Sequence, residues 1–139
     1  MIQLITGVKG TGKTKTLIRL ANRAAETTNG HVVCIEHTLK LTYDISHRVR
    51  LIDSTEYGIS GYTALYGFVC GILAQDYDVT DLFIDSVLKI GGSDLQDLYK
   101  LVAALEPVVE KARVRLTITV SADTACMGEV FSKYLYREE

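Results

Sequence analysis

The chain has 139 residues, of which 47% are apolar, 23% charged and 8% aromatic. That length fits one domain able to bury a real core, and the composition excludes a disordered or low-complexity chain. Fifteen basic against seventeen acidic residues leave a formal charge of -2, so no global cationic field exists to hold nucleic acid or an anionic membrane.

Residues 2–6 (IQLIT) read as a first strand. A helix follows over 13–26, with Leu17, Ile18, Ala21, Ala24 and Ala25 on one stripe. Thr27, Thr28, Asn29 and Gly30 stop it, because Asn-Gly supplies the positive φ that a helix exit favours. His31–Glu36 is a second strand, apolar enough to be buried on both faces. Residues 37–47 are mixed in character and receive no assignment. Val49–Asp53 reads as a third, weaker strand. Beyond Gly58 and Gly61, Tyr62, Leu65, Tyr66, Val69, Ile72 and Leu73 fall at helical spacing.

Residues 81–85 (DLFID) form a fourth strand, apolar in the middle and acidic at each end. After Gly91 and Gly92, Ser93 with Gln96 makes a capping-box pattern, and the helix it opens carries Leu95, Leu98, Val102 and Leu105. Pro107 is expected to end or kink that helix, or to start a short second one. Residues 114–120 are a fifth strand, and Met127, Val130, Phe131, Tyr134 and Leu135 mark a closing helix. Strands interleaved with helices predict a single three-layer α/β/α domain over residues 1–139, with a mostly parallel five-stranded sheet.

No apolar run reaches the roughly 18 residues of a membrane span. The opening MIQLITGVKG has no basic segment followed by an apolar run and a cleavage site, so a cytoplasmic location is expected. Cys34, Cys70 and Cys126 are odd in number, far apart and set in apolar surroundings, and His31, His37 and His47 show no ligand spacing against them. Buried free thiols in a reducing compartment are the reading that follows.

Residues 7–14 (GVKGTGKT) fill every position of the pattern G-x-x-x-x-G-K-[ST]. Glycines at 7, 10 and 12 allow backbone conformations that a Cβ forbids, turning successive N–H groups toward an anion. The nucleotide-binding stretch is therefore Gly7, Val8, Lys9, Gly10, Thr11, Gly12, Lys13, Thr14 and Lys15, with the helix dipole aimed at the same phosphates. Lys13 sets a compact charge against the β- and γ-phosphates, and the Thr14 hydroxyl coordinates Mg²⁺. The bland alternative is a glycine-rich strand-to-helix turn with no ligand. Asp85 ends the fourth strand where a carboxylate would hold Mg²⁺ through water; alone, it would read as a strand-end cap. Asp81, about 13 Å away at roughly 3.3 Å per residue, does not reach the phosphates.

With these residues the chain resembles the P-loop NTPase superfamily, its Walker A motif at 7–14 and a Walker B-like strand at 81–85. Some seventy residues separate Lys13 from Asp85, which is similar to the additional-strand branch that holds RecA-like and secretion ATPases. In that branch the Walker B strand lies beside the P-loop strand without following it directly in sequence. The resemblance implies Lys13 and Asp85 as the catalytic pair, and Thr14 and Asp85 as metal ligands. It also places Ser121 at the polar sensor position, an assignment that competes with a plain strand-end serine opening a turn with Asp123. Ser86 stands where many ATPases of this branch carry a catalytic glutamate. Lys9 is one place from the signature lysine of partition-type ATPases, so that family is not assigned. Small bacterial P-loop proteins related by name to twitching-motility ATPases are similar in size, but this chain lacks room for a pilus motor's further domain.

Glu36, Asp53 and Glu56, at or just past strand ends, are the candidate general bases, each also readable as a solvated loop acid. Lys40, Arg48 and Arg50 make a modest basic cluster, read as a solvated face. Arg113, Arg115 and Arg137 are cations whose reach to a γ-phosphate the sequence does not decide. The expected function is binding of ATP with Mg²⁺ and slow hydrolysis, as a nucleotide-dependent switch or an ATPase stimulated by a protein partner or a second copy of the chain. ATP is preferred to GTP because no NKxD-type guanine motif is present. The alternatives are a small phosphotransferase of the nucleoside or nucleotide kinase kind, and a nucleotide-binding module without turnover.

Overall fold

The five β-rich runs all become strands: β1 (Ile2–Gly7), β2 (His31–Glu36), β3 (Val49–Asp53), β4 (Val79–Ile84) and β5 (Arg115–Ser121). Among the described residues, five α-helices separate or follow them: α1 (Lys13–Thr27), α2 (Tyr62–Gln75), α3 (Val87–Gly91), α4 (Leu95–Ala112) and α5 (Thr124–Met127). The computed structural model describes residues 1–39 and 44–138, so Lys40 of the expected basic cluster lies outside the described residues. Arg48 and Arg50 are exposed.

The strands form one sheet in the order β1-β5-β4-β2-β3, and every pairing is parallel. A parallel sheet needs cover on both faces because its crossovers lie there. On one face α2, α3 and α4 pack Leu65, Val69, Val87, Leu98, Val102 and Leu105 against Leu4, Ile35, Leu82, Ile84, Leu116 and Ile118. On the other, α1 packs Leu17, Ala21 and Ala25 against Ile5, Val32, Cys34 and Phe83. Three layers result, as the sequence predicts. One expectation of the resemblance is not met: the strand that leads to Asp85 does not lie beside β1, because β5 inserts between them.

Several local expectations need correction. Strand β4 begins two residues earlier than the apolar core suggests, and Asp85 falls just past its end. The N-cap of α4 is Asp94, whose carboxylate accepts from the Gln96 and Asp97 amides, and not Ser93. Pro107 neither ends nor divides α4. The buried stripe Leu98, Leu101, Val102, Leu105 and Val109 runs past it, while Pro107 and Ala103, whose carbonyl loses its donor, are exposed to water. The closing helix is instead the short α5 and a 3₁₀ turn at Glu129–Tyr134, because Gly128 at φ 88° interrupts the helical path. All three cysteines are free as expected, but only Cys34 is buried; Cys70 is half-buried and Cys126 exposed. No helix among the described residues is long and apolar enough to cross a membrane.

The cap assignment is directly measurable. Asp94→Ala removes the acceptor for two orphan amides and should cost about 1 kcal/mol in denaturant unfolding, whereas Ser93→Ala should stay within about 0.5 kcal/mol of the parent. The reverse ranking would return the cap to Ser93.

Candidate functional site

Parallel strands bring all their carboxyl ends to one edge of the sheet, and the loop of residues 7–14 crosses that edge between β1 and α1. Its shape depends on glycine. Gly7, Gly10 and Gly12 have φ of 144°, 89° and 86°, and a Cβ on Gly7 would lie 2.5 Å from Thr11 Oγ1. The Gly7 amide donates to the Ala122 carbonyl at 3.0 Å, tying the start of the loop to the chain beyond β5. The Thr16 amide donates to the Gly12 carbonyl at 3.1 Å as the first bond of α1. The amides of Lys13, Thr14 and Lys15 thus belong to the helix terminus, where the positive end of the dipole lies.

Lys13 is held by this geometry although it is only 8% exposed. Its ammonium donates to the Val8 carbonyl at 2.9 Å, and Thr11 Oγ1 donates to the same oxygen at 2.8 Å. Burial pushes the Lys13 pKa below that of an ordinary lysine, and the Asp85 carboxylate opposes part of that shift. Lys9 and Lys15 are exposed.

Asp85, also 8% exposed, is fixed from three sides. Its amide donates to the Ile35 carbonyl of β2 at 2.9 Å. Its Oδ1 accepts from Thr119 Oγ1 at 2.7 Å and from Thr14 Oγ1 at 3.4 Å, and its Oδ2 accepts from Ser86 Oγ at 3.5 Å. Thr119 in turn accepts the Ser86 amide at 2.7 Å, steadying Ser86 in a left-handed conformation at φ 57°. No sequence motif marks Thr119. Its one signal is periodicity: Thr117, Thr119 and Ser121 alternate in a strand whose other residues from Leu116 to Val120 are apolar and buried.

The remaining candidates divide sharply. Glu36 is 2% exposed at the end of β2, the strand bonded to β4, and with Asp85 it pushes the already buried Cys34 thiol further above its ordinary pKa. Asp53 lies one strand farther out, opposite Glu36. Its carboxylate accepts from the amide and hydroxyl of Thr55, capping the turn Ser54–Tyr57 on which exposed Glu56 sits. Ser121 is exposed at the end of β5, in register with Gly7, while Asp123 caps α5. Arg115 opens β5 and Arg113 precedes it, roughly 20 Å along the strand from Ser121. Arg137 lines the same cleft as those two, so all three arginines belong to the edge opposite the loop.

A glycine loop with a helix terminus, a buried ammonium and a neighbouring carboxylate suit a multiply charged anion together with a cation. The Thr14 hydroxyl and the Asp85 carboxylate, 3.4 Å apart, are hard oxygen donors of the kind Mg²⁺ takes, so the residues fit that ion. No family model matches the chain, and no curated protein is significantly similar to it.

The buried threonine makes a specific expectation. Thr119→Val leaves the Ser86 amide without its acceptor and removes the shortest hydrogen bond to Asp85, so unfolding free energy should fall by about 1–3 kcal/mol at unchanged denaturant slope. Thr119→Ser should restore most of the loss; an equal loss in both would make the methyl group the important part.

Proposed function

We propose that the chain is a P-loop nucleotide-binding protein that takes ATP with Mg²⁺ on residues 7–15 and hydrolyses it slowly as a nucleotide-dependent switch. The observation that carries this reading is the largely buried Lys13 side chain, its ammonium bonded to the Val8 carbonyl and within the electrostatic influence of Asp85, at the mouth of a complete GVKGTGKT loop. An anion placed there meets Lys13 and the amides at the start of α1, and the Lys13 ammonium passes from the Val8 carbonyl to phosphate oxygens. Thr14 and Asp85 are the residues that would hold Mg²⁺, which would supply neutralisation of phosphate charge.

Slow turnover follows from what stands near that loop. Glu36 is the candidate base on the strand next to Asp85, whereas the Asp53 carboxylate serves a cap and Glu56 stands on the exposed turn beyond it. Arg113, Arg115 and Arg137 lie at the far edge, so none of these three guanidiniums is placed to join Lys13 at the γ-phosphate. Supplying an arginine in trans accelerates related chemistry by about 10³–10⁵. A second copy or a protein partner is therefore the natural activator, and a cytoplasmic site of action accords with the supply of ATP.

Two measurements test this function. In thermal shift, ATP at about 100 times its Kd should add about 2.7 kcal/mol to the parent. Lys13→Ala should lose that gain while keeping its fold, and Asp85→Asn should lose affinity for Mg²⁺-ATP more than for metal-free ATP. Equal ATP gains in Lys13→Ala and the parent would remove the assignment. Phosphate release from ATP should be far below about 1 s⁻¹ in dilute protein and should rise with protein concentration or with a partner. Glu36→Gln should abolish release and retain binding; fast release independent of concentration would show an autonomous enzyme.

A further inference from the structure

Among the described residues, α1 is the one helix on its face of the sheet, and its cover stops short over the amino ends of β1, β5 and β4. There the structure leaves a cleft of about 750 Å³, within the range of small-molecule sites. Its floor is polar for a sheet interior: Gln3 Nε2 donates to Thr117 Oγ1 at 2.9 Å, and Asp81 lies beside them on β4. Its walls carry five arginines from three separate parts of the chain: Arg19 and Arg23 one turn apart on α1, Arg113 and Arg115 at the entry to β5, and Arg137 on the C-terminal tail. Among the described residues, the carboxylates lining it are those of Asp81 and Glu138. In a chain of formal charge -2, the described residues lining this one concavity thus sum to a formal +3.

Among the described residues, Arg19 is the only one of the five in a salt bridge, and its partner is Glu138 on the tail. The Tyr136 hydroxyl also accepts from Arg19, at 3.5 Å. The tail is pinned where its Tyr136 amide donates to the Leu4 carbonyl at 2.8 Å, which brings Tyr136, Arg137 and Glu138 over the cleft. A carboxylate of the chain itself therefore already sits on one guanidinium. Arginine's planar fork pairs bidentately with carboxylate and phosphate oxygens, and several forks around one cavity select for linked anionic groups.

We propose that this cleft is a second anion site, distinct from the glycine loop, that binds a small ligand carrying two or more linked phosphates. Its volume and its tail roof suit a compact molecule better than the continuous backbone of a nucleic acid. Free polyphosphate and the phosphate chain of a nucleotide share this chemistry. Glu138 is the internal competitor that such a ligand displaces from Arg19. The proposal stands apart from the nucleotide assignment, since no residue is common to the two sites.

The test is calorimetric titration of the Lys13→Ala variant with inorganic tripolyphosphate at physiological ionic strength. One saturable site per chain is expected. Arg23→Gln/Arg115→Gln should weaken it at least tenfold, roughly the worth of one charge-assisted contact, and Glu138→Gln should tighten it a few-fold. Thermal melts establish that the variants fold. Arg137→Gln, outside every helix and strand, gives the same direction of loss should the double variant unfold. ATP titrated into the same Lys13→Ala protein separates the sources: tighter binding than tripolyphosphate assigns a nucleotide, and equal or weaker binding assigns the phosphate chain alone. Absence of saturable binding, or binding indifferent to the arginine substitutions, overturns the proposal. So does arginine-dependent binding of a single-stranded oligonucleotide without binding of tripolyphosphate. If Lys13→Ala fails to alter ATP binding, the glycine-loop assignment falls while the result on the cleft is unaffected.

Discussion

All five strands point the same way, and most of the molecule's chemistry follows from that shared direction. Parallel pairing collects every strand's carboxyl end on one edge, so Gly7, Glu36, Asp53, Asp85 and Ser121 share one margin although up to 114 positions separate them in sequence. The same direction collects the opposite ends, which is why Gln3, Asp81 and Arg115 meet on the far side. An antiparallel strand in place of β5 would send Thr119 and Arg115 to each other's edges. The sheet is therefore polar in the literal sense, with an acid-lined margin and a guanidinium-lined one.

Holding Lys13 and Asp85 in a largely buried setting is costly unless each is solvated by the protein. The Val8 carbonyl serves the ammonium, while two threonine hydroxyls and a serine hydroxyl serve the carboxylate. These partners come from β5, from α1 and from the residue after Asp85 itself, so the position of the carboxylate depends on the insertion of β5 between β1 and β4. That strand order departs from the simple expectation of adjacent β1 and β4. It also supplies the buried hydroxyl at Thr119 that an adjacent arrangement would lack.

The fold was legible because buried parallel strands write themselves as short apolar runs and α1 and α4 as apolar stripes. Errors arose where tertiary packing outweighed a local rule. Pro107 lies inside α4 because five buried residues of that helix hold the sheet while the proline faces water. The closing segment has helical spacing, yet Gly128 and packing of Phe131 and Tyr134 into the core divide it. The glycine loop was readable because its residues are contiguous. The differing settings of Glu36, Asp53 and Glu56 depend on strand order and burial, and the arginine cleft was invisible because its walls come from positions 19 to 138.

The bond from the Gly7 amide to the Ala122 carbonyl has a consequence for how the molecule comes into being. Strand β1 is synthesised before the rest of the sheet, yet among the described strands its partner is β5, and Ile2 pairs with Leu116. Contacts this distant in sequence close late, since the entropy of a long loop must be lost before they form. The glycine loop therefore gains its anchored shape only after residues 115–122 have been made and docked. Nascent chains carry the complete motif long before they carry the structure that orders it. Assembly of the loop thus acts as a check that all five strands have docked.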